Sequence, residues 1–361
     1  MLGSAVLISA LGIVTMYGFG GVNQFAPRQA AWLAIGLVLF FATSAVDFRF
    51  LRDTRSVVII YGLSLASLAL LFVVGSVFQG AQSWFNLGAF AVQPADPAKL
   101  ALILVLAKYF SRRHIEIARL QHILVSGAYM FVVFAFLFFQ PDFGSAVIVL
   151  GLWMGMVLIA GIPLRHLAGI AAVGIAAVAF LWTFALADYQ QARIMTFLHP
   201  LADISGAGYN AFQSTIAVGS GGIFGKGIGY GTQSRLQFLP EHETDFIFAA
   251  FVEEWGLGGA LLLFALMGTL LARLIANARA GATNFETLFI FGVAILIVVH
   301  ATIHIGMNIG LLPVTGTTLP FMSYGGSHLI VGYLMLGIVN AMRRYSRTVH
   351  EDQRHEIVGA T

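Results

Sequence analysis

A series of long apolar runs, repeated along the whole chain, is the feature that most limits what this sequence can fold into. Each run is about 17–25 residues long, the length that an α-helix needs to cross the hydrocarbon core of a bilayer. Only 10% of the 361 residues are Asp, Glu, Lys or Arg, against roughly 25% in a typical soluble domain. The sequence therefore predicts an all-α, polytopic membrane protein with about ten transmembrane helices in one domain, residues 1–361. The predicted spans are 3–22, 29–46, 57–78, 95–110, 123–139, 144–162, 167–186, 246–271, 287–306 and 325–342.

The distribution of Lys and Arg between the segments that join these spans predicts the orientation of the chain. Fourteen of the 19 basic residues lie on one side of the predicted bundle. The other side holds Arg28, Lys99, Arg193, Lys226 and Arg235. Because cytoplasmic segments carry the excess of Lys and Arg, the side with fourteen, which includes both termini, is predicted to be cytoplasmic. The formal charge of +3 is therefore interpreted as a topology signal and not as a nucleic-acid-binding surface.

The longest segment on the predicted outer side runs from about residue 187 to 244, far longer than an ordinary interhelical loop. It contains a glycine-rich stretch in which Lys226 follows a glycine, as the lysine of a phosphate-binding P-loop does. The rest of the P-loop pattern is missing, because Ser220 and Gly227 stand where a glycine and a hydroxyl residue are needed. Two interpretations stay open: an anion-binding loop with Lys226 as its cation, or a re-entrant loop that needs glycine for close packing.

An acidic patch that includes Glu241, Glu243 and Asp245 comes directly before the apolar run that starts at residue 246. Thr244 or Asp245 could cap the helix that follows, or Asp245 could act chemically at the outer surface. The same run carries two acidic residues at membrane depth, where an ionisable group is a candidate for function or for bonding between helices.

Three more polar motifs lie at the outer ends of predicted spans. Asp96 and Lys99 are three residues apart on a helix and can pair, unless both side chains only extend toward the interface. In the turn Gln140–Gly144, Asp142 is predicted to cap the next helix. The segment 308–326 is rich in Pro, Gly and hydroxyl residues, and irregular backbone at membrane depth is tolerated only against protein or a wet cavity.

Some kinds of chemistry are excluded. The chain has no Cys, which removes a thiol nucleophile and a thiolate metal site. None of its ten His residues forms a close-spaced motif with a carboxylate, so a zinc enzyme is not predicted. No organic cofactor is expected.

Together these motifs resemble the SEDS family, named for shape, elongation, division and sporulation. The resemblance covers nearly the whole chain and rests on five groups of residues. They are Gln93-Pro94 with Asp96 and Lys99, Gln140–Gly144, Gly208–Gly222, Leu239–Glu241 with Thr244–Ala249, and Pro313–Gly316 with Pro320–Gly326. Gly231–Ser234 and Glu253–Leu257 are more similar to the elongation branch, RodA, than to the division branch, FtsW.

The resemblance implies a peptidoglycan glycosyltransferase that polymerises lipid II during cell-wall elongation, in the bacterial cytoplasmic membrane and with its active site outside. It also implies a class B penicillin-binding protein as the transpeptidase partner. The essential Asp of the family corresponds to Asp245, and its polar pair corresponds to Asp96 and Lys99, with Asp where Glu is usual. Gln213 lies within the shared motif Gly208–Gly222, whereas Glu243 stands where the family usually has His; both are candidates for substrate binding.

The chemistry expected of such an enzyme is a single inverting displacement. An α-linked diphosphate donor gives a β-linked polymer without a covalent intermediate, so one carboxylate, Asp245, suffices as general base. Lys99, Arg193 and Lys226 are candidates to stabilise the diphosphate, and a divalent cation, Mg²⁺ or Mn²⁺, could assist. Two alternatives stay open: a flippase or transporter of a lipid-linked sugar, and an FtsW-type role in division.

Overall fold

The computed structural model describes residues 1–19, 24–78, 81–86, 91–112, 120–161, 163–184, 191, 195, 197 and 208–358. Within these ranges the chain forms twelve α-helices, one 3₁₀-helix (Phe48–Arg52) and three short strands. The helices are α1 (Leu2–Gly18), α2 (Phe25–Ala45), α3 (Thr54–Val74), α4 (Ala95–Ser111), α5 (Leu120–Phe139), α6 (Phe143–Ile159), α7 (Leu164–Phe184), α8 (Tyr209–Ser220), α9 (Thr232–Arg235), α10 (Ile247–Arg279), α11 (Asn284–Asn308) and α12 (Gly326–Val358). The strands are β1 (Ser76–Phe78), β2 (Ala81–Asn86) and β3 (Ala91–Val92).

A helix lies at each of the ten predicted span positions, so the predicted polytopic all-α fold is confirmed. Five helices, α2, α3, α5, α10 and α11, are long and apolar enough by length and composition to cross a membrane, and α1 and α6 are shorter apolar helices. The outer surfaces of the helices are apolar as well, since Val73, Phe139 and Val38 are 81%, 71% and 69% exposed. Side chains of this kind suit contact with lipid.

One end of the bundle is tied together by basic residues at helix ends. Arg52 Nη2 lies 2.5 Å from Glu286 Oε1, which joins the start of α3 to the start of α11. Lys108, near the end of α4, donates a hydrogen bond to the backbone carbonyl of Arg52. The acidic turn before α10 lies at the other end, because the side chain of Asn308, the last residue of α11, binds the carbonyl of Asp245. Basic and acidic residues thus gather at opposite ends of α11.

The connection between α3 and α4 contains a small antiparallel sheet that hydropathy did not predict. The span predicted at 57–78 ends as a helix at Val74, and its last three residues form β1. β2 pairs with β1, with Ser76 opposite Trp84, and with β3, with Phe85 opposite Val92. A few apolar residues at the end of a run fit a helix or a strand equally well, because so short a stretch carries no periodicity.

The described part of the long segment between α7 and α10 folds back against α10. This helix is interrupted at Gly256, which has φ 66° and ψ −164°. At the break, Lys226 N donates to Glu253 O at 3.0 Å, and Leu257 N donates to Gly222 O at 2.9 Å. The opened helix backbone is therefore hydrogen-bonded to the glycine-rich stretch, which satisfies polar groups that would otherwise be exposed in a membrane.

The glycines make this backbone contact sterically feasible. A Cβ added at Gly221 would lie 2.1 Å from Val252 O, and one added at Gly225 would lie 2.1 Å from Glu254 O. Real Cβ atoms are not found so close to a carbonyl oxygen, so both positions require glycine. Two interpretations of the glycine-rich stretch were open, and the structure has the close packing of the stretch against a helix that the second one expects.

Gly256→Ala is expected to lower the free energy of unfolding by about 1–3 kcal/mol, because only glycine readily adopts this backbone conformation. An added Cβ would also lie 2.3 Å from Gly225 N. Thermal unfolding of the purified protein in detergent measures the effect. Gly268→Ala is the matched control, since it lies on the same helix with no atom within 4 Å of the added Cβ, and it should be neutral or slightly stabilising. Equal melting temperatures for the two variants would contradict this role of the break.

Candidate active site

The predicted general base, Asp245, lies in the tight turn that leads into α10. The backbone N–H groups of Asp245 and Phe246 both donate to the carbonyl of Glu241, at 3.0 and 3.1 Å. Phe246 occupies the N-cap position of α10, so the alternative in which Thr244 or Asp245 is the N-cap residue is wrong. Capping therefore does not account for a carboxylate at position 245.

The start of α10 is capped by Asn308, a fully buried residue at the end of α11. Its Oδ1 accepts a hydrogen bond from Ala249 N in the first turn of α10 at 3.0 Å. Its Nδ2 donates to the carbonyl of Asp245, also at 3.0 Å. One side chain from a neighbouring helix thus positions both the helix start and the backbone of the predicted base. This role was not predicted, because a cap from 59 residues away leaves no local signal in the sequence.

The irregular segment 309–325, which joins α11 to α12, packs beside the Asp245 turn. Ser323 Oγ donates to the carbonyl of Thr244 at 2.8 Å. Gly316 has φ 68°, and a Cβ added there would lie 3.4 Å from Asp245 Oδ2. The backbone of the segment therefore forms one wall of the space next to the Asp245 carboxylate.

From Gly316 the segment continues between the helices. The carbonyl of Thr317 lies 2.6 Å from His304 Nδ1, and the carbonyl of Thr318 lies 3.3 Å from His300 Nδ1. Both rings belong to α11 and are buried. This is the setting in which irregular backbone at membrane depth was expected, against protein and away from lipid.

The pairing predicted for Asp96 and Lys99 is confirmed. Lys99 Nζ lies 3.2 Å from Asp96 Oδ1, and each side chain is only 4% exposed, so neither extends to the interface. His328 Nδ1, in the first turn of α12, lies 3.5 Å from the same oxygen. The ring of His300 lies with its centroid 4.9 Å from that of His328. The pair is therefore enclosed by histidines from two other helices.

These histidines were not predicted to form a group. His300 and His304 are spaced like successive turns of one helix, but His328 reaches them only through the fold. The sequence carries only a weak signal for this group. The three His residues lie inside or beside apolar runs, and an ionisable residue at membrane depth is a functional candidate by default.

The turn between α5 and α6 joins the same region. Asp142 caps α6 as predicted, since its Oδ1 accepts from Ser145 N at 3.0 Å. Its other oxygen accepts from Gln93 Nε2 at 3.0 Å, which was not predicted. A Cβ added at Gly144 would lie 2.5 Å from Thr315 O. The motifs of the sequence are thus brought together around segment 309–325.

Lys226 is placed at the break of α10. Its Nζ lies 2.6 Å from Oε1 of the fully buried Glu253 and 2.9 Å from Thr232 Oγ1. The same carboxylate accepts hydrogen bonds from the backbone N–H groups of Thr232 and Gln233. This ion pair fastens the glycine-rich stretch to α10, and contact of Lys226 with a diphosphate stays a prediction.

The remaining candidate site residues are Gln213, Glu243 and Arg193. Gln213 is partly buried on α8, next to Ser214, whose Oγ donates to the carbonyl of Asn308 at 2.9 Å. Burial raises the pKa of the Glu243 carboxyl above its ordinary value, although His242 Nδ1 lies 3.8 Å away. Arg193 lies outside the described residues.

No three His, Asp or Glu side chains within the described ranges are grouped so that they could hold a metal ion. The described side chains around Asp245 and Asp96 therefore do not fit a divalent cation held by these residues alone. We derive no chemical step through one.

The chain is similar to known proteins over nearly its whole length. A family model described as "Cell cycle protein", which covers FtsW, RodA and SpoVE, matches residues 1–348. Stage V sporulation protein E of Bacillus subtilis is 35% identical, and the match covers 96% of this chain and 94% of that protein. Peptidoglycan glycosyltransferase MrdB of Escherichia coli is 36% identical, with 89% and 86% covered.

The similar solved structures include one that matches the chain closely in both fold and sequence. It belongs to a peptidoglycan synthase complex described as coordinating polymerization and crosslinking. The matched chain has a TM-score of 0.82 and 34% identity, with 96% of this chain and 97% of that chain covered. The arrangement of helices described above is therefore shared with a member of such a complex.

Proposed function

The chain belongs to the FtsW, RodA and SpoVE family of cell cycle proteins, and from this premise we propose how it works as a peptidoglycan glycosyltransferase. It is a multi-pass membrane enzyme that polymerises lipid II into glycan strands. The observation that carries the mechanism is the position of Asp245, whose backbone is held by Asn308 and whose carboxylate adjoins Gly316. The segment that contains Gly316 also contacts His300, whose ring lies beside that of His328, a neighbour of Asp96.

In this mechanism Asp245 is the general base. Its carboxylate takes the proton of the acceptor hydroxyl while the diphosphate leaves the donor sugar in one inverting step. Lys99 stabilises the negative charge that develops on the leaving diphosphate. Its ammonium is preorganised for that task, because the buried Asp96 holds it in place.

The partner that we propose is a class B penicillin-binding protein, which crosslinks the strands. The similar chain in a complex that couples polymerization to crosslinking supports this proposal. We also propose an elongation role, which rests on the RodA-like residues Gly231–Ser234 and Glu253–Leu257.

The decisive experiment incubates the purified protein and its partner with labelled lipid II in detergent and separates the products by size. Chains of repeating disaccharides are the expected result. Labelled lipid II that stays monomeric, with a partner that is active on preformed glycan, would contradict the proposal.

Transport of a lipid-linked sugar is the second candidate function. Transporters also use helices broken at membrane depth with acidic residues beside the break, as in α10 at Gly256 with Glu253 and Glu254. Both carboxylate oxygens of Glu254 are buried beside this break. Reconstitution in liposomes distinguishes the two functions, since a transporter would move lipid II between leaflets without making polymer.

We propose that the protein resides in the bacterial cytoplasmic membrane with its termini in the cytoplasm and Asp245 outside. Arg235→Cys and Arg344→Cys test this, because both residues are exposed and the chain has no Cys of its own. In intact cells without an outer membrane barrier, a membrane-impermeant maleimide should label the variant at position 235. The variant at position 344 should react only after the cells are opened. The reverse pattern would invert the proposed orientation.

A further inference from the structure

Five polar side chains from three helices form a buried group beneath segment 309–325, which we call the histidine cluster. Its members are Asp96 and Lys99 of α4, His300 and His304 of α11, and His328 of α12. Asp96, Lys99, His300 and His304 are at most 4% exposed, and the side chain of His328 is 16% exposed. The mechanism above uses only the Asp96–Lys99 pair and leaves the histidines unexplained.

Backbone contacts determine which ring nitrogen of His300 and His304 carries the proton. Each Nδ1 faces a carbonyl oxygen, that of Thr318 at 3.3 Å and that of Thr317 at 2.6 Å. A carbonyl oxygen can only accept, so Nδ1 is the donor in both rings. In the neutral ring Nε2 is then a hydrogen-bond acceptor.

Three buried acceptors of the histidine cluster are unpaired. His300 Nε2, His304 Nε2 and Asp96 Oδ2 are buried and have no hydrogen-bond partner among the described residues. The ammonium of Lys99 carries three N–H groups, but its hydrogen bond among the described residues is to Asp96 Oδ1 and not to any of these three atoms. Buried polar atoms are almost always paired, so three unpaired acceptors indicate a ligand that brings donors. A metal ion does not fit, because no three such groups in the described ranges are placed to hold one.

The position of the histidine cluster indicates which ligand could supply the hydrogen-bond donors. His304 and His300 lie one and two turns below the end of α11, about 6 and 12 Å by helical rise. Consecutive residues of one segment connect them to the predicted base, since Gly316 adjoins Asp245 while Thr317 and Thr318 bind the rings. A ligand that extends from Asp245 into the cluster would bring its hydroxyl groups to these acceptors.

We propose that the histidine cluster is a saccharide subsite. In it, Nε2 of His300 and of His304 and Oδ2 of Asp96 accept hydrogen bonds from hydroxyl groups of the lipid-linked sugar. This inference rests on the proposed function and names the part of the substrate that the site recognises. His328 lies at the more exposed edge of the subsite, beside Asp96.

The test separates the two nitrogens of one ring. In His300→Asn the amide N–H takes the place of the Nδ1 donor to Thr318 but removes the Nε2 acceptor. We expect KM for lipid II to rise about 3- to 10-fold, the effect of one lost hydrogen bond, with kcat within about twofold and an unchanged melting temperature. His300→Gln places an amide oxygen, an acceptor, near the Nε2 position and loses the Nδ1 donor, so it should lower the melting temperature and raise KM less than His300→Asn does.

His122→Asn is the matched control. His122 is also buried and binds through Nδ1, to the hydroxyl of Tyr109 at 2.9 Å, but it lies on α5 at the opposite end of the bundle. Its substitution should leave KM unchanged. A KM effect as large as that of His300→Asn would show that the loss is not local to the cluster and would overturn the inference.

Binding is measured separately from turnover by the rise in melting temperature that lipid II produces. We expect a smaller rise for His300→Asn and for His304→Asn than for the wild type. A rise in melting temperature that is the same for the variants and the wild type would overturn the saccharide assignment. The assignment would also fail if phosphatidylglycerol, which has no sugar, raised the melting temperature of the wild type as much as lipid II does. If the wild type binds lipid II without polymerising it, the proposed function fails while the subsite stands.

Discussion

Asp245→Asn is expected to express, to fold and to bind its partner normally, and to lose roughly 10²–10⁴-fold of its polymerisation rate. The amide has nearly the shape of the carboxylate but cannot take a proton from the acceptor hydroxyl. The backbone bonds that hold residue 245, from its N–H to the carbonyl of Glu241 and from Asn308 to its own carbonyl, do not depend on the side chain. The loss should therefore be chemical.

Polymerisation and thermal unfolding must be measured on the same sample of Asp245→Asn. The matched control is Glu241→Gln, which removes a negative charge from the same turn while Thr244 Oγ1 can still donate to the remaining side-chain oxygen. We expect the control to keep most of its activity. A large loss in both variants would assign the effect to the charge of the turn and not to one base.

The contrary result is also informative. If Asp245→Asn is as stable and as active as the wild type, Asp245 is not the base. Glu243 would then be the next candidate, since burial raises the pKa of its carboxyl and a base works best with a pKa near the ambient pH. Both oxygens of Asp142 are already hydrogen-bonded, to Ser145 N and Gln93 Nε2.

Lys99→Ala is expected to lose about 2–4 kcal/mol of transition-state stabilisation. This loss corresponds to a turnover that is roughly 30- to 1,000-fold lower. The reason is the loss of the cation that faces the developing charge of the diphosphate. The structure adds a second effect that the sequence could not show. Asp96 is as buried as Lys99, and an uncompensated buried charge costs about 3–5 kcal/mol of stability.

A paired variant separates these two effects. Lys99→Met with Asp96→Asn removes both charges together, so stability should recover while turnover stays low. Arg52→Met with Glu286→Gln is the matched control, because it removes a partly buried ion pair at the opposite end of the bundle. Normal polymerisation by a stable Lys99→Met/Asp96→Asn protein would show that the pair is structural only.

Much of the fold and part of the site were predictable from local sequence. Apolar length determined where the ten helices lie, because a helix that crosses a bilayer needs a minimum number of apolar residues whatever it packs against. Short-range spacing determined that Asp96 pairs with Lys99 and that Asp142 caps α6, since both contacts form within one helical turn.

Tertiary structure alone decided which polar groups meet across the bundle. Asn308 caps α10, His328 lies beside Asp96, and Lys226 forms an ion pair with Glu253. The sequence could not reveal these contacts, because lipid and protein interior are both apolar and hydropathy does not tell which face of a helix turns inward. Only the packing of the helices places residues 59 or more positions apart, such as Asn308 and Ala249, within hydrogen-bond distance.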